Sequence, residues 1–418
     1  MDKLIIDGGK PLRGKVRISG AKNAALAILC ASILANEEVV LENIPDISDV
    51  QVMIEIIKNI GAEVTWLDNS SLRVVGPSRP AADPPCALVK KLRASNLLLG
   101  PLLAKFGYAR VSLPGGCNIG IRPMDLHFKG LASMGARMDI EGGYAVGRVD
   151  GRLKGARIYL DFPSVGATEN IMMAACLAEG QTVLENVAKE PEIVDLANFL
   201  NCLGAKVRGA GTDIIKIEGV PELGGCLRYA VIPDRIEAGT FMVAAAATRG
   251  HLELENIIPL HVEPICAKLR EAGVDIIEDY DVLTVRAGGM LRPVDIKTLP
   301  YPGFPTDMQS QMMALFSTVE GTSIIIENIF ENRFQIADEL KRMGARIKVE
   351  GRMAVVEGVP GLHGTQVKAT DLRAGAALVI AGLMAPGRTE IFNAHYIDRG
   401  YHMLEGKLRS LGAEVARA

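Results

Sequence analysis

The sequence repeats one segment six times, and this repetition limits the possible folds more than any other feature. The segment reads L-x-x-x-G-A-x-[VIM] or a close variant, from 57–64 in the first copy to 408–415 in the last. Its glycines are Gly61, Gly135, Gly204, Gly273, Gly344 and Gly412, which gives spacings of 74, 69, 69, 71 and 68 residues. Because a fixed period indicates stacked copies of one supersecondary unit, we expect six such units in the 418 residues.

Each repeat predicts the same order of elements: strand, apolar helix, strand, amphipathic helix, strand. The repeated glycine comes where the amphipathic helix ends, a position that suits the left-handed conformation. Helices that are apolar almost throughout are predicted at 24–35, 171–178, 241–247 and 374–383. A helix that is apolar all round is a buried helix, so we expect sheets and amphipathic helices around buried ones, in two groups of three.

A second marker, Glu-Asn or a variant of it, follows an extended run in five of the six repeats. The copies are Glu42-Asn43, Glu185-Asn186, Glu255-Asn256, Glu327-Asn328 and Phe392-Asn393. The second repeat has Leu113-Pro114-Gly115-Gly116-Cys117 in its place. This departure from the period indicates that the loop is specialised.

Polar residues collect at the predicted starts of the apolar helices. The clusters are 19–23, 93–96, 164–170, 233–237, 305–307 and 370–373. Helix capping explains an Asp at such a position, and we expect it of Asp234, Asp307 and Asp371 as one alternative. Capping does not explain the cations in the same clusters, which are Lys22, Arg93, Arg235 and Arg373. Because a cation opposes the positive end of the helix dipole, this set favours a bound phosphate or carboxylate.

The composition excludes several classes of function. A net charge of -3 provides no electrostatic basis for binding nucleic acid or an anionic membrane. The first residues, Met1 to Asp7, contain no apolar core of signal-peptide length, and no apolar run is long enough to span a bilayer. The seven cysteines include no CxxC pair and the six histidines no HExxH motif. We therefore expect no metal, reduced thiols in the cytoplasm, and buried structural thiols at every cysteine except Cys117.

Motifs along the whole chain resemble those of the enolpyruvyl transferases, most closely the members that act on UDP-N-acetylglucosamine. The matching segments are 9–14, 19–25, 93–95, 113–123, 164–168, 233–237, 304–307, 331–334, 369–373 and 398–401. The resemblance implies an α/β fold of two inside-out α/β barrel domains, each built from three repeats of about 70 residues. It implies a C-terminal domain of 1–20 plus 230–418 and an N-terminal domain of 21–229, which carries the cysteine loop at about 111–123. The active site is then expected in the cleft between them.

The resemblance implies the reaction as well. The enolpyruvyl group of phosphoenolpyruvate moves to the 3′-hydroxyl of UDP-N-acetylglucosamine by addition and elimination, and phosphate leaves. This is the first committed step of peptidoglycan precursor synthesis, a cytoplasmic reaction that uses no cofactor and that fosfomycin inhibits. Small-molecule substrates are the expected partners, and nothing in the sequence demands more than a monomer.

The resemblance assigns the charged residues to phosphoenolpyruvate. Lys22, Arg122 and Arg399 are expected on the phosphate, and Arg333 and Arg373 on the carboxylate. Bidentate contacts from arginine would fix the face of the planar enol.

Four residues are expected to take part in the chemistry: Cys117, Asp307, Lys22 and Arg399. Cys117 is expected to protonate the methylene carbon and to assist product release. Its position beside two glycines and near Arg122 favours an exposed thiol of lowered pKa over a buried one. Asp307 is expected to contact the 3′-hydroxyl, and a carboxylate that caps a helix would position this group better than it would take its proton.

The remaining contacts are expected on UDP-N-acetylglucosamine. They are Asn23 at the sugar, Arg93 at the diphosphate or in support of closure, Ser164, Val165 and Gly166 at the nucleotide, Asp125, Leu126 and His127 beside the uridine, Ile329 in the substrate site, and Asp371 near the intermediate.

Three other interpretations stay open at this stage. A sister enzyme with the same fold transfers enolpyruvate to shikimate 3-phosphate, but it lacks the Pro-Gly-Gly-Cys loop. A catalytically retired paralogue that acts as a sensor is disfavoured because the charged positions are all present. A repeat scaffold without a small-molecule site has no use for cations at helix starts.

Overall fold

The computed structural model describes residues 2–80, 83–113 and 124–418. These residues form two compact units. We call residues 20–80, 83–113 and 124–232 the N-terminal unit, and residues 2–19 and 233–418 the C-terminal unit. Most of the cysteine loop predicted at about 111–123, including Cys117 and Arg122, lies outside the described residues.

The secondary structure alternates between strands and helices along the chain. The strands of the described residues are β1 Lys3–Gly8, β2 Arg13–Arg17, β3 Glu38–Glu42, β4 Glu63–Trp66, β5 Leu72–Val75, β6 Tyr108–Ser112, β7 Arg137–Glu141, β8 Tyr144–Arg148, β9 Arg157–Tyr159, β10 Gln181–Glu185, β11 Lys206–Arg208, β12 Ile214–Glu218, β13 Cys226–Ala230, β14 His251–Glu255, β15 Asp275–Asp279, β16 Val282–Arg286, β17 Ile296–Lys297, β18 Thr322–Ile326, β19 Arg346–Glu350, β20 Met353–Glu357, β21 Gln366–Lys368, β22 Gly387–Phe392 and β23 Glu414–Arg417. The α-helices are α1 Lys22–Ser32, α2 Ser48–Asn59, α3 Cys86–Val89, α4 Leu99–Phe106, α5 Asp125–Ser133, α6 Val165–Ala175, α7 Pro191–Cys202, α8 Arg235–Ala247, α9 Pro259–Glu271, α10 Gln309–Phe316, α11 Ile336–Arg342, α12 Leu372–Met384 and α13 Leu404–Ser410. Short 3₁₀ helices cover Arg93–Leu98, Thr306–Met308, Arg333–Gln335 and Ala394–Arg399.

The strands form small mixed sheets. In the N-terminal unit the strand orders are β13-β3-β5-β4, β11-β12-β10-β9 and the three-stranded β6-β8-β7. In the C-terminal unit they are β21-β22-β1-β23, β15-β16-β14-β2 and β17-β18-β20-β19. Strand β1 lies between two antiparallel neighbours, and β2 pairs in parallel with β14. The first strands of the chain therefore complete two sheets of the C-terminal unit.

The repeated glycines end the amphipathic helices, as the period predicts. Helices α2, α5, α7, α9, α11 and α13 each end two residues before a repeated glycine, and a strand begins two residues after it. All six glycines have a positive φ, between +93° and +106°. Because a side chain is strained in this conformation, the period fixes glycine at the residue that turns each helix into the next strand.

The Glu-Asn marker has a structural cause. In each of the five copies the Asn side-chain amide donates to the carbonyl of the residue just after a parallel neighbouring strand. The acceptors are the carbonyls of Val231, Leu160, Ile18, Thr298 and Ala369, at 2.7, 2.7, 2.7, 3.0 and 3.4 Å. Among the described residues, the sheet of β6 contains no parallel strand. The second repeat therefore has no such carbonyl to bind, which agrees with the absence of the marker there.

Helices α1, α4 and α6 in the N-terminal unit and α8, α10 and α12 in the C-terminal unit lie within two separate hydrophobic cores. All residues of α10 are buried, and so are those of α12 except its last. The predicted apolar runs mark the bodies of these helices but not their starts. Helix α6 begins six residues before its predicted start, because Ser164 caps it and the following polar residues continue the helix.

The expectation that all cysteines are reduced is wrong for one pair. Cys202 at the end of α7 and Cys226 at the start of β13 form a disulfide, with their Cα atoms 5.7 Å apart. The fold places the end of this helix beside the edge strand. No local sequence motif predicts this contact. Cys30, Cys176 and Cys266 are buried free thiols as expected, whereas Cys86 is only half-buried.

Candidate active site

Asp307 is the centre of a charged cluster in the C-terminal unit. One carboxylate oxygen accepts a hydrogen bond from Arg333 at 2.7 Å, and the other accepts one from Arg373 at 2.9 Å. Both arginine side chains are almost completely buried, whereas the carboxylate is partly exposed. Two buried positive charges for one negative charge leave the cluster with a net charge of about +1, which favours binding of an anion.

A buried carboxylate supports the backbone around this cluster. Glu327 accepts hydrogen bonds from the hydroxyls of Thr298 and Thr306, each at 2.9 Å, and from the backbone N–H groups of Ile329 and Phe330 at 2.8 and 3.1 Å. Thr306 directly precedes Asp307, and the loop through Ile329 leads to Arg333. Because Glu327 is fully buried, these four bonds hold both segments in place.

Arg373 has further partners in the buried interior. Its guanidinium donates to the hydroxyl of Tyr401 at 3.3 Å, and this hydroxyl lies 2.8 Å from the hydroxyl of Thr240. Burial, the largest single influence, lowers the pKa of Arg373, but Asp307, Tyr401 and Asp234 together outweigh burial and raise it. Burial raises the pKa of Tyr401, so its phenol stays protonated at neutral pH. The buried Nε of Arg333 has no acceptor among the described residues and is a spare donor.

The structure distinguishes the aspartates that cap helices from the one that does not. The sequence offered capping as an alternative for Asp234, Asp307 and Asp371 alike. Asp371 accepts from the N–H groups of Arg373 and Ala374 at 2.8 and 3.1 Å and caps α12. Asp234 caps α8 in the same way. The capping alternative is wrong for Asp307, whose oxygens bind arginine side chains and which caps no helix.

Other predicted residues of the C-terminal unit lie on nearby short elements. Arg399 is the last residue of the 3₁₀ helix Ala394–Arg399 and is half-buried. The guanidinium of Arg235, at the start of α8, lies over the ring of Tyr301 at 5.6 Å from its centroid. Tertiary packing places both, and their local sequence does not predict these surroundings.

The N-terminal unit has a buried ion pair at the start of α1. The Lys22 ammonium lies 2.7 Å from a carboxylate oxygen of Asp49, and the two side chains are 12% and 5% exposed. Asn23 follows Lys22 on the first turn of α1 and is exposed. The pair therefore fixes a lysine next to an accessible amide.

His127 is another buried polar group of this unit. Its ring nitrogen Nδ1 lies 3.0 Å from the amide nitrogen of Asn170 on α6. Burial, and then the charge of Arg93, lowers its pKa to about 4, so the ring is neutral at pH 7. Asp125 and Leu126 precede it at the start of α5, and Gly166 packs against the ring.

The structure thus brings together Asp307, Arg333 and Arg373, and separately His127, Arg93 and Gly166. Sequence reasoning missed their supports: Asp49, Asn170, Glu327, Thr240 and Tyr401. Three of these supports belong to segments that the sequence analysis singled out: Tyr401 ends 398–401, Glu327 opens the Glu327-Asn328 marker, and Asn170 ends the polar cluster 164–170. Asp49 and Asn170 lie within helices, where no spacing rule links them to their partners.

One group of side chains has the spacing of a metal site. The ligand atoms of Glu263, Cys266 and Glu278 lie within 4.8 Å of one another, alone among the residues that the structure describes. Arg270 already pairs with both carboxylates, and its contact to Glu263 is 3.3 Å. Burial raises the pKa of the Cys266 thiol to about 12, which disfavours the thiolate that a metal needs.

Known proteins resemble this chain over almost its whole length. The model of the family described as EPSP synthase (3-phosphoshikimate 1-carboxyvinyltransferase) matches residues 6–408. A UDP-N-acetylglucosamine 1-carboxyvinyltransferase 1 from Caldanaerobacter subterraneus subsp. tengcongensis is 59% identical over 99% of each chain. A UDP-N-acetylglucosamine 1-carboxyvinyltransferase 2 from Carboxydothermus hydrogenoformans is 56% identical over 100% of this chain and 99% of its own.

Solved structures show the same fold. The enolpyruvyl transferase NikO from Streptomyces tendae superimposes with a TM-score of 0.90 at 28% identity, over 100% of this chain and 99% of that chain. EPSP synthase from Acinetobacter baumannii superimposes with a TM-score of 0.79 at 19% identity over the full length of both, a likeness of fold alone. The chain therefore belongs to the EPSP synthase family of enolpyruvyl transferases, and within it to the UDP-N-acetylglucosamine 1-carboxyvinyltransferases.

Proposed function

We propose that this chain transfers the enolpyruvyl group of phosphoenolpyruvate to the 3′-hydroxyl of UDP-N-acetylglucosamine. The carboxylate of Asp307 between two buried arginines is the observation that carries the proposal, because it combines a group for a hydroxyl with a surplus of positive charge for an anion. The names of relatives at 53–59% identity support the same acceptor. The product enters peptidoglycan synthesis in the cytoplasm, and the chain acts as a monomer.

For the fold we propose two inside-out α/β barrel domains of three repeats each. Support comes from buried helices in both units and from the six repeated glycines with positive φ. The two compact units correspond in this proposal to the C-terminal domain of 1–20 plus 230–418 and the N-terminal domain of 21–229. Among the described residues, no helix has the length and apolarity required to cross a membrane.

Phosphoenolpyruvate brings a phosphate and a carboxylate to the site. We assign the carboxylate to Arg333 and Arg373, because both guanidinium groups are already fixed by Asp307. Lys22, Arg122 and Arg399 take the phosphate. Charges that are held in place before the substrate arrives need no reorganisation during the reaction, and such charges supply a large part of catalysis.

UDP-N-acetylglucosamine binds mainly through the N-terminal unit in this proposal. Asn23 contacts the sugar, and the first turn of α6, from Ser164 to Gly166, holds the nucleotide through backbone N–H groups. Asp125, Leu126 and His127 flank the uridine. The remaining assignments are Arg93 at the diphosphate, Ile329 in the substrate site and Asp371 beside the intermediate.

The chemistry has an addition and an elimination. Cys117 gives a proton to the methylene carbon of phosphoenolpyruvate while the 3′-oxygen bonds to the neighbouring carbon and passes its own proton to water, which forms a phospholactoyl intermediate. The bond from this carbon to the phosphate oxygen then breaks, phosphate leaves, and the methyl carbon returns a proton to the Cys117 thiolate. A carboxylate shared by two cations is a weak proton acceptor, so Asp307 positions the hydroxyl in this scheme.

Fosfomycin tests the assignment of Cys117. The thiolate is expected to attack the epoxide, so that a C–S bond forms, a C–O bond breaks and the protein gains the full mass of the drug. Intact-mass analysis is expected to show one adduct on the unmodified chain and on Cys86→Ser, which removes another accessible thiol, and none on Cys117→Asp. An adduct on Cys117→Asp would contradict the assignment.

The sister reaction with shikimate 3-phosphate is the second candidate. The family model covers this activity, but the solved EPSP synthases are only 19–20% identical to the chain. The chain also has the Pro-Gly-Gly-Cys loop at 114–117, which that enzyme lacks. The acceptor therefore decides between the two.

A further inference from the structure

Asn170 connects three elements of the N-terminal unit to the centre of α6. The residue is completely buried. Its Oδ1 accepts a hydrogen bond from the backbone N–H of Gly100 on α4 at 2.5 Å. Its Nδ2 lies 2.9 Å from the carbonyl oxygen of Asn96 and 3.0 Å from Nδ1 of His127 on α5.

These contacts leave one orientation for the amide. A backbone N–H only donates and a carbonyl only accepts, so the atom facing Gly100 is the oxygen and the atom facing Asn96 is the nitrogen. The same nitrogen then donates its second hydrogen to Nδ1 of His127. An imidazole nitrogen that accepts a hydrogen bond has no proton, so a neutral ring has its proton on Nε2.

The His127 ring is neutral, and one of its edges lies against the first turn of α6. His127 is 5% exposed, and its burial keeps the pKa at about 4. A Cβ added at Gly166 would lie 3.3 Å from Cε1 and 3.5 Å from Nε2, so this edge of the ring lies against the first turn of α6. Among the described residues, no group hydrogen-bonds Nε2.

We propose that Asn170 is a positioning residue that holds His127 in the Nε2–H tautomer, so that the ring donates a hydrogen bond to a carbonyl oxygen of uracil. The inference rests on the proposed function for the nucleotide beside α6. It adds a reason for specificity, since a fixed donor favours a base that presents an acceptor at this point. A base with an amino group there would leave two donors facing each other.

The tautomer is measurable in the unmodified protein. Long-range ¹H–¹⁵N NMR on the chain labelled at its six histidines, with His127→Gln to identify the signal, reports which ring nitrogen has the proton. We expect a neutral ring with bare Nδ1 and protonated Nε2 at pH 7. We also expect the Nε2 signal to shift when UDP-N-acetylglucosamine is added. A proton on Nδ1, or on both nitrogens, would overturn the proposal.

Asn170→Asp reverses the contact, because a carboxylate accepts from Nδ1–H. The variant is expected to move the proton to Nδ1 or to charge the ring. It should raise KM for UDP-N-acetylglucosamine about tenfold, the effect of losing one hydrogen bond. KM for phosphoenolpyruvate should stay within about twofold, since no contact to that substrate changes.

The matched control is Asn201→Asp on α7. Within the part of the chain that the structure describes, the Asn201 side chain bonds only the backbone of Val207, in the same unit. Its tautomer signal and both KM values should stay unchanged. A correct tautomer whose signal does not move with UDP-N-acetylglucosamine would overturn the donor role. The activity of the unmodified chain then shows separately whether the proposed reaction stands.

Discussion

Asp307 holds two guanidinium groups that are otherwise buried in the protein. Arg333 and Arg373 are 2% and 4% exposed, so neither charge can turn to water when the carboxylate is removed. The cluster that favours binding of an anion therefore also contributes to the stability of the folded protein.

Asp307→Asn tests this cluster. We expect the free energy of unfolding in urea to fall by about 3 kcal/mol, because the arginines lose their counter-ion. We also expect kcat to fall by about 100-fold or more, because the 3′-hydroxyl loses its partner.

The control is Asp338→Asn, which removes an exposed carboxylate paired with Lys341 on α11. It should change the unfolding free energy by less than about 0.5 kcal/mol and leave activity intact. Equal effects of the two substitutions would contradict the buried cluster.

His127 makes part of the stability depend on pH. Its pKa is about 4 in the fold and 6.5 when unperturbed. The unfolded chain therefore binds more protons between these values, so stability rises with pH through this window and is lost as the pH falls from 6.5 to 4. Between pH 4 and 6.5, the difference in unfolding free energy between the unmodified chain and His127→Gln should change by about 3 kcal/mol.

Other titrating groups do not obscure this comparison. Burial lowers the pKa of His261 to about 4 and raises that of Asp195 to about 6. Their effects on the slope have opposite signs, but both residues are present in the two proteins and cancel in the difference. A difference that does not vary with pH would contradict a buried neutral His127.

Helix ends are the feature of the elements that the sequence predicts best. A left-handed residue after each amphipathic helix needs glycine, so a chemical constraint produces a visible period. The start of a helix depends on whether a polar side chain accepts a hydrogen bond from a backbone N–H group. Ser164 and Asp371 do so, whereas Asp307 binds arginine side chains. The disulfide between Cys202 and Cys226 depends on contacts between elements, so spacing does not predict it.

Gly412→Ala tests whether the positive φ is the reason that glycine repeats at this position. A Cβ at Gly412 has no atom within 4 Å, yet its φ is +93°, so only backbone strain opposes the alanine. We expect the free energy of unfolding to fall by about 1–2 kcal/mol.

The matched control is Gly361→Ala, where a Cβ is equally free of contacts and no positive φ is found. This variant should be neutral or slightly stabilised, since alanine restricts the unfolded chain. If both variants lose the same stability, the conformation of the glycine is not the reason for the period.

At the scale of the molecule, the start of the chain belongs to the unit formed by its end. Strand β1 pairs on both sides, with β22 and with β23, and β2 pairs with β14. The six repeats predict the number and order of the supersecondary units along the chain. Which strand enters which sheet is a long-range property, and only the family resemblance implied that the first residues return.

Deletion of residues 1–18 tests this topology. We expect amides of the C-terminal unit to lose protection from hydrogen exchange, because the central strand of one sheet is gone. Amides of the N-terminal unit, which begins at residue 20, should keep most of theirs. Asp338→Asn, which changes an exposed side chain on α11 and none of these strand pairings, is the control. Retained protection across 233–418 in the deletion would contradict the pairing.

The central claim is that this chain transfers the enolpyruvyl group to UDP-N-acetylglucosamine. A comparison of two acceptors tests this claim most directly. The measurement is the rate of phosphate release from phosphoenolpyruvate, with UDP-N-acetylglucosamine or with shikimate 3-phosphate as acceptor. We predict release with the first acceptor, which Cys117→Ala abolishes and Asp307→Asn slows by about 100-fold or more, and no release with the second. Release only with shikimate 3-phosphate, or with neither acceptor, would contradict the claim.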